Sequence, residues 1–184
     1  MVIFITGTPA GSAQTSTGYL GDNQWHHVAF TVETNIIRSY WDGYSGYSFG
    51  WSGTPGTPAV NAPLRIGTLS PQHQHFSGAL DEISLWNTAL SLTQIQSYKN
   101  RSLTGSETNL VSYWRFDEAA GTSAFDSSPL QNAATLTNNP TWITSTVPLT
   151  NGSPGTALQF NGVNQEVTVD RWAPSALFFR ARGL

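Results

Sequence analysis

The sequence predicts an all-β protein of short antiparallel strands, and three observations carry that expectation. Gly, Thr, Ser and Asn are abundant and aromatic residues make up 12% of the chain, a mixture that suits short strands joined by turns. Short apolar runs alternate with polar residues and end at Gly, Pro, Asn or Asp clusters. Only one stretch, beginning near Ser91, carries a convincing helix-start signal.

Val2 to Ile5 is β-prone and is broken by Gly7 and Pro9; the Gly/Ser/Thr stretch that follows reads as a hairpin region, so the first run is a strand entered midway. From Trp25, alternation puts Trp25, His27, Ala29 and Thr31 on one face and His26, Val28, Phe30 and Val32 on the other, which is the better core face. Ile36 to Trp41 is the partner strand, closed by Asp42-Gly43, a dipeptide that favours a tight turn with positive φ. Residues 44–63 hold many Gly, Pro, Ser and aromatic residues and read as a long loop or a pair of short edge strands.

Leu64 to Gly67 is a strand and Ser70 to Gln74 a loop. Leu80 to Trp86 is a strand with Leu80, Glu82, Ser84 and Trp86 on one face and Asp81, Ile83 and Leu85 on the other. The short helix runs from near Ser91 toward Tyr98, and residues 100–109 are a polar linker. Leu110 to Phe116 is a strand, and Asp126-Ser127-Ser128-Pro129 is a turn whose side chains satisfy local backbone donors. Thr135-Leu136, Trp142-Ile143, Ala157 to Phe160 and Glu166 to Val169 are further strands; the tail from Arg171 to Leu184 shows no clear period.

Composition narrows the function. Charged residues are 10% of the chain and net charge is -3, so there is no basic stripe to neutralise a phosphate backbone and nucleic acid is not an expected partner. Cysteine is absent, which removes disulfides, thiol nucleophiles and Cys-based zinc sites. No apolar run approaches the roughly 18 to 20 residues of a membrane span, and Met1 to Ile5 lacks the cationic leader of a signal peptide and is too short for its apolar region; if the protein is exported, its signal lies elsewhere.

Two ordered sets of motifs resemble one family. Trp25-His26-His27-Val28-Ala29-Phe30, Asp42-Gly43, Leu64-Arg65-Ile66-Gly67, Phe76 to Ile83 and Asn87 to Ser91 resemble the later half of a laminin-G-like, concanavalin A-like jelly-roll module of bacterial extracellular proteins. Leu110 to Glu118, Gly121-Thr122, Asp126-Ser127-Ser128 and Leu158 to Asn164 resemble its earlier half, here placed second. The resemblance implies an antiparallel jelly-roll β-sandwich with one short helix after the Asp81-containing strand. Two arrangements remain open. Residues 1–104 are the later portion of one module and 105–184 the early portion of the next, or both together make one composite, permuted sandwich. The family's middle, a Trp-bearing strand and its hairpin, is not found; it belongs after Val169 or before Val2.

Asp81 and Glu82 are adjacent in a strand and therefore expected on opposite faces, which does not make a catalytic acid pair. A glycosidase on this fold would space its acids along one strand as Glu-x-Asp-x-x-Glu, and Asp81-Glu82-Ile-Ser-Leu-Trp does not. No enzyme activity is expected. The resemblance implies a structural calcium held by Asp81, Asp126 and Asn132, although Pro129-Leu130 stands where many relatives carry Gly-Asn; the alternative is that Asp81 anchors a backbone donor and Asp126 caps a turn. His26 and His27 alternate across a strand and cannot share a metal, whereas His73 and His75 share a face if that stretch is extended. Tyr40, Tyr44, Tyr47, Phe49 and Trp51 concentrate rings that stack on sugar faces or plug the sandwich end. With His73 and His75, Tyr44, Tyr47 and Trp51 form the candidate ligand site. The expected role is a non-catalytic extracellular or cell-surface module that binds a glycan or a protein surface beside neighbouring domains of the same chain; the alternative is a spacer that binds nothing.

Overall fold

A computed structural model of the chain describes residues 2–7, 11–16, 21–33, 35–50, 63–70, 73–170 and 176–183. β1 (Val2–Gly7) and β2 (Gly11–Ser16) pair as an antiparallel hairpin. β3 (His26–Glu33), β4 (Ile36–Trp41) and β5 (Tyr44–Gly50) form a meander. The β4–β5 turn has Asp42 and Gly43 at φ +49° and +79°, the positive pair that the Asp-Gly dipeptide predicts. β6 (Leu64–Ile66) is followed by β7 (Thr68–Ser70) and β8 (His73–His75), which pair with each other, so Ser70, His73 and Gln74 lie in paired strands where a loop is expected.

β9 (Ser77–Trp86) is the long central strand. The short helix α1 (Leu92–Tyr98) follows it. The Ser91 hydroxyl accepts from the Gln94 amide while the Gln94 side chain accepts from the Ser91 amide, a capping box that satisfies two orphan donors of the first turn. Seven residues are too few for a self-sufficient helix, and Ile95, only 1% exposed, anchors it to the sheet. The second half contributes β10 (Leu110–Trp114), β11 (Ser123–Ala124), β12 (Ala134–Thr137), β13 (Thr141–Thr144), β14 (Thr156–Asn161), β15 (Glu166–Val169) and β16 (Ala176–Gly183).

Two main sheets result. The larger runs β13–β14–β9–β16–β3–β4–β5, with β10 also on β9; the smaller runs β11–β12–β15–β6. One edge of β9 pairs with β14 over Ser77–Leu80 and with β10 over Ile83–Trp86, and its other edge pairs with β16. Strands from both sides of residue 105 therefore share both sheets. Within the tail that shows no period in the sequence, Ala176–Gly183 is a central strand, antiparallel to both β3 and β9.

The core lies between the sheets, where Val28, Phe30, Leu80, Ile83 and Leu85 of the larger sheet meet Ile66, Leu136, Val167 and Val169 of the smaller, with Trp114, Phe116 and Phe160 filling the space. A second cluster, Ala29, Tyr40, Trp86, Leu90, Ile95, Leu103 and Tyr113, glues α1 and the 99–105 segment to the outer face of the larger sheet. Val28 and Phe30 point inward and Ala29 outward, as alternation predicts for β3. The expected "linker" over 100–109 is packed structure: Leu103 is buried, and Asn151 clasps Ser102 with hydrogen bonds to its amide and carbonyl of 3.0 and 3.1 Å.

Alternation fails in β9. Leu80, Ile83 and Leu85 all face the core, because Glu82 adopts φ +55° and inserts one extra residue, a bulge matched by a register shift in β16 opposite. Asp81 and Glu82 consequently lie together on the outer side, not on opposite faces.

Candidate ligand-binding face

β5 is the last strand of the larger sheet, every residue of it is exposed, and it carries no charge. Strict alternation would separate Tyr44 from Tyr47. The pairing shows otherwise: Tyr44 stands opposite Trp41 and Phe49 opposite Ile37, both on the same face of β4, and directly opposed residues share a face. Between them the register slips, with the Ser39 hydroxyl accepting from the Tyr47 amide at 2.9 Å and donating to its carbonyl at 3.2 Å. This bulge brings Tyr44 onto the face that Tyr47 and Phe49 share by alternation, and the Tyr47 and Phe49 ring centroids lie 6.3 Å apart. It requires Gly46, whose added Cβ would sit 2.8 Å from the Ser39 hydroxyl.

Three rings thus line one face, with Tyr44 72% exposed and Tyr47 61%. The turn at their root is held firmly: Gln96 donates to the Gly43 carbonyl at 3.0 Å and Lys99 to the Asp42 carbonyl at 3.1 Å. Trp51 lies outside the described residues. His73 and His75 sit on β8, in a sheet separate from that of β5, and Gln74 between them has φ +59°, which interrupts the extended geometry that a shared face would need.

The proposed calcium ligands are not brought together. Asp126 and Asn132 are neighbours, but the Asp126 carboxylate accepts from the amides of Tyr113, Ser128 and Asn132, each at 2.8 Å, and from the Ser128 hydroxyl at 2.9 Å. The three amides take three of the roughly four acceptor sites of a carboxylate, and the Ser128 hydroxyl, its proton shared with the Val111 carbonyl, stands at the fourth. Asn132 turns its side-chain amide to the Ser112 hydroxyl and its carbonyl to the Trp114 indole. Asp81 lies on β9, fully buried, accepting from the Glu82 amide at 2.8 Å and the Ser145 hydroxyl at 2.6 Å. The set does not fit a cation, which needs free oxygens converging on one point. Among the described residues no three His, Asp or Glu side chains make a metal-binding group.

Sequence reasoning missed Glu82 as a structural centre. Its carboxylate accepts from the Tyr113 hydroxyl and from the Ser102 hydroxyl, joining β9, β10 and the 99–105 segment. Burial first, and the Glu82 charge next, push the Tyr113 phenol well above its ordinary pKa. The cavity beside them, lined by His27, Trp86, Tyr98 and Arg101 among others, holds about 20 Å³. That is room for about one water; a sugar does not enter it. Both carboxylates are buried rather than open to a cleft, Glu82 against Ser102 and Tyr113 and Asp81 against Ser145.

The comparisons agree with this architecture. The laminin G-type model of the Concanavalin A-like lectin/glucanases superfamily matches residues 2–96, just over half of the chain, and the chain belongs to that superfamily. It is similar to Adhesion G-protein coupled receptor V1 of Danio rerio, 34% identical over 82 residues, which are 44% of this chain and 1% of that protein. No solved structure matches. Laminin G-like domains typically mediate adhesion or ligand binding in extracellular proteins. Among the described residues no helix is long and apolar enough to cross a membrane.

Proposed function

We propose that this chain is a non-catalytic, extracellular glycan-binding module whose ligand lies on the β5 ring row. The observation that carries the reading is the common face of Tyr44, Tyr47 and Phe49 on an exposed, uncharged strand of Ser and Gly. Aromatic rings offer flat apolar faces to the C–H faces of a pyranose, while Ser hydroxyls and edge amides offer hydrogen bonds to its hydroxyls. The absence of charge on the strand favours a neutral sugar over a charged peptide. A printed glycan array tests it: the parent chain binds a neutral glycan, and Tyr47→Ala weakens that binding about tenfold, roughly 1.4 kcal/mol, without lowering the melting temperature, since the ring is mostly exposed. A parent that binds no glycan returns the module to the spacer reading.

We also propose that residues 2–183 act as one composite sandwich. Interleaving of β9 with β10, β14 and β16, and of β6 with β15, supports it.

A further inference from the structure

The connector that leads into β3 and the β4–β5 turn meet at one histidine. His26 places Nδ1 2.8 Å from Asp42 Oδ2 and Nε2 3.1 Å from both carboxylate oxygens of Asp22. Its ring lies against Trp41 with centroids 4.3 Å apart, and only 13% of the side chain is exposed. We propose that His26 is a proton-operated latch beside the ring row: its imidazolium ties the 21–25 connector to the β4–β5 turn, and loss of the proton releases the connector.

The reason is the donor count. An imidazolium carries two N–H donors and serves both carboxylates; a neutral ring carries one, and its bare nitrogen then faces a carboxylate oxygen. Asp42 is the better-held partner. Its Oδ1 accepts from the His27 amide at 2.9 Å and its own amide donates to the His27 carbonyl at 2.8 Å. Asp22 sits on an exposed connector, its side chain 44% accessible, and turns back to accept from the Gln24 amide at 3.0 Å. The Asp22 contact is therefore the one that yields. The latch borders the rings directly: Asp42 opens the β4–β5 turn, and Trp41, against which the His26 ring lies, stands opposite Tyr44.

The charges around the latch are Asp22 from the connector, Asp42 from the turn and Lys99 from the end of α1, the last acting on the Asp42 carbonyl. On the other flank β16 puts Ala181 opposite His26 and Arg180 opposite His27. Partial burial disfavours the charged ring, but the hydrogen bonds to Asp42 and Asp22 and their charges outweigh it, so the His26 pKa lies above its ordinary value. Asp22 shifts the other way, lowered first by the Gln24 amide and then by His26. For a raised imidazole the stabilisation is complete below the ordinary value of about 6.5 and is lost as pH rises through the folded value. For the lowered carboxylate it is present above its ordinary value and lost only as pH falls through the folded one, so the latch closes in mildly acid solution.

The consequence at the rings rests on the glycan-binding reading; the latch itself does not. Side-chain NMR titration of His26 in the full chain, with hydrogen exchange of the Asp22 to Trp25 amides, tests it. The expected result is a midpoint above about 6.5 that moves down in Asp22→Asn, with exchange, corrected for base catalysis, rising severalfold through the midpoint in the parent and flat in His26→Gln. A parent midpoint at or below the ordinary value, or exchange indifferent to the titration, overturns the latch. The same glycan array read near about pH 6 and about pH 8 shows weaker binding at the higher pH in the parent and no change in His26→Gln. Equal parent binding at both overturns the coupling to the rings, whereas binding at neither overturns the glycan reading and leaves the latch to the titration.

Discussion

Asp126 shows how one carboxylate can organise a turn. Three backbone amides converge on it, and the Ser128 hydroxyl, 2.9 Å from its Oδ2 and 2.8 Å from the Val111 carbonyl, shares its one proton between them, so the turn is stitched to β10. Asp126→Ala leaves buried amides without acceptors, each loss costing about 1–3 kcal/mol; chemical denaturation of this variant is expected to show a loss on the order of 3 kcal/mol. Because the acceptor sites are filled by protein donors, melting curves of the parent in calcium and in chelator are expected to coincide. A calcium-dependent rise in melting temperature would restore the cation. Asp126-Ser127-Ser128 was legible as a side-chain-capped turn, since Asp and Ser satisfy nearby amides through local geometry alone. The partners of Glu82 were not legible, because Ser102 and Tyr113 lie 20 and 31 residues away in sequence.

At the scale of elements, two bulges decide where the chemistry points. Period-two reading assigned β3 correctly and mis-assigned β9, and in β5 it would part the two tyrosines that the fold unites. An inserted residue flips every side chain beyond it, and nothing in local composition announces it except, in β5, Gly46. Gly46→Val is expected to drive the Ser39 hydroxyl aside or straighten the strand, separating Tyr44 from Tyr47. Glycan binding then falls by at least as much as in Tyr47→Ala, while the melting temperature changes by only a few degrees, roughly the effect of 1 kcal/mol. Unchanged binding would show that the bulge does not shape the site. The helix was the easiest element to read, because Ser91, Gln94 and the buried Ile95 carry its start and its anchor within one turn.

Across the whole molecule the decisive feature is the place of β16. It fills the middle of the larger sheet, so without it β3 and β9 would each present an unpaired edge inside the protein. If residues 2–183 form one composite sandwich, a protease site inserted at the exposed Thr108 to Asn109 should give a nicked chain whose halves co-elute on gel filtration and unfold in a single transition. Halves that separate and keep their secondary structure would favour two partial modules. The crossing pairs join residues far apart in sequence, and no local pattern encodes such pairings. A tail with no alternation can still become a central strand, because backbone hydrogen bonds to a neighbour on each edge, not a polar face, define its place.

By itself the sequence determined the secondary structure of most segments, the inward face of β3, the Asp42-Gly43 turn, the capped helix and the laminin G-like likeness, all of which depend on neighbours a few residues away. The tertiary structure alone decided that the two halves share both sheets, that Asp81 and Glu82 lie on the same side, that Asp126 gathers three amides, and that Tyr44, Tyr47 and Phe49 form one row. Those outcomes depend on strand register and on which distant segments meet, and register is set by packing over the whole sandwich rather than by any single run of residues.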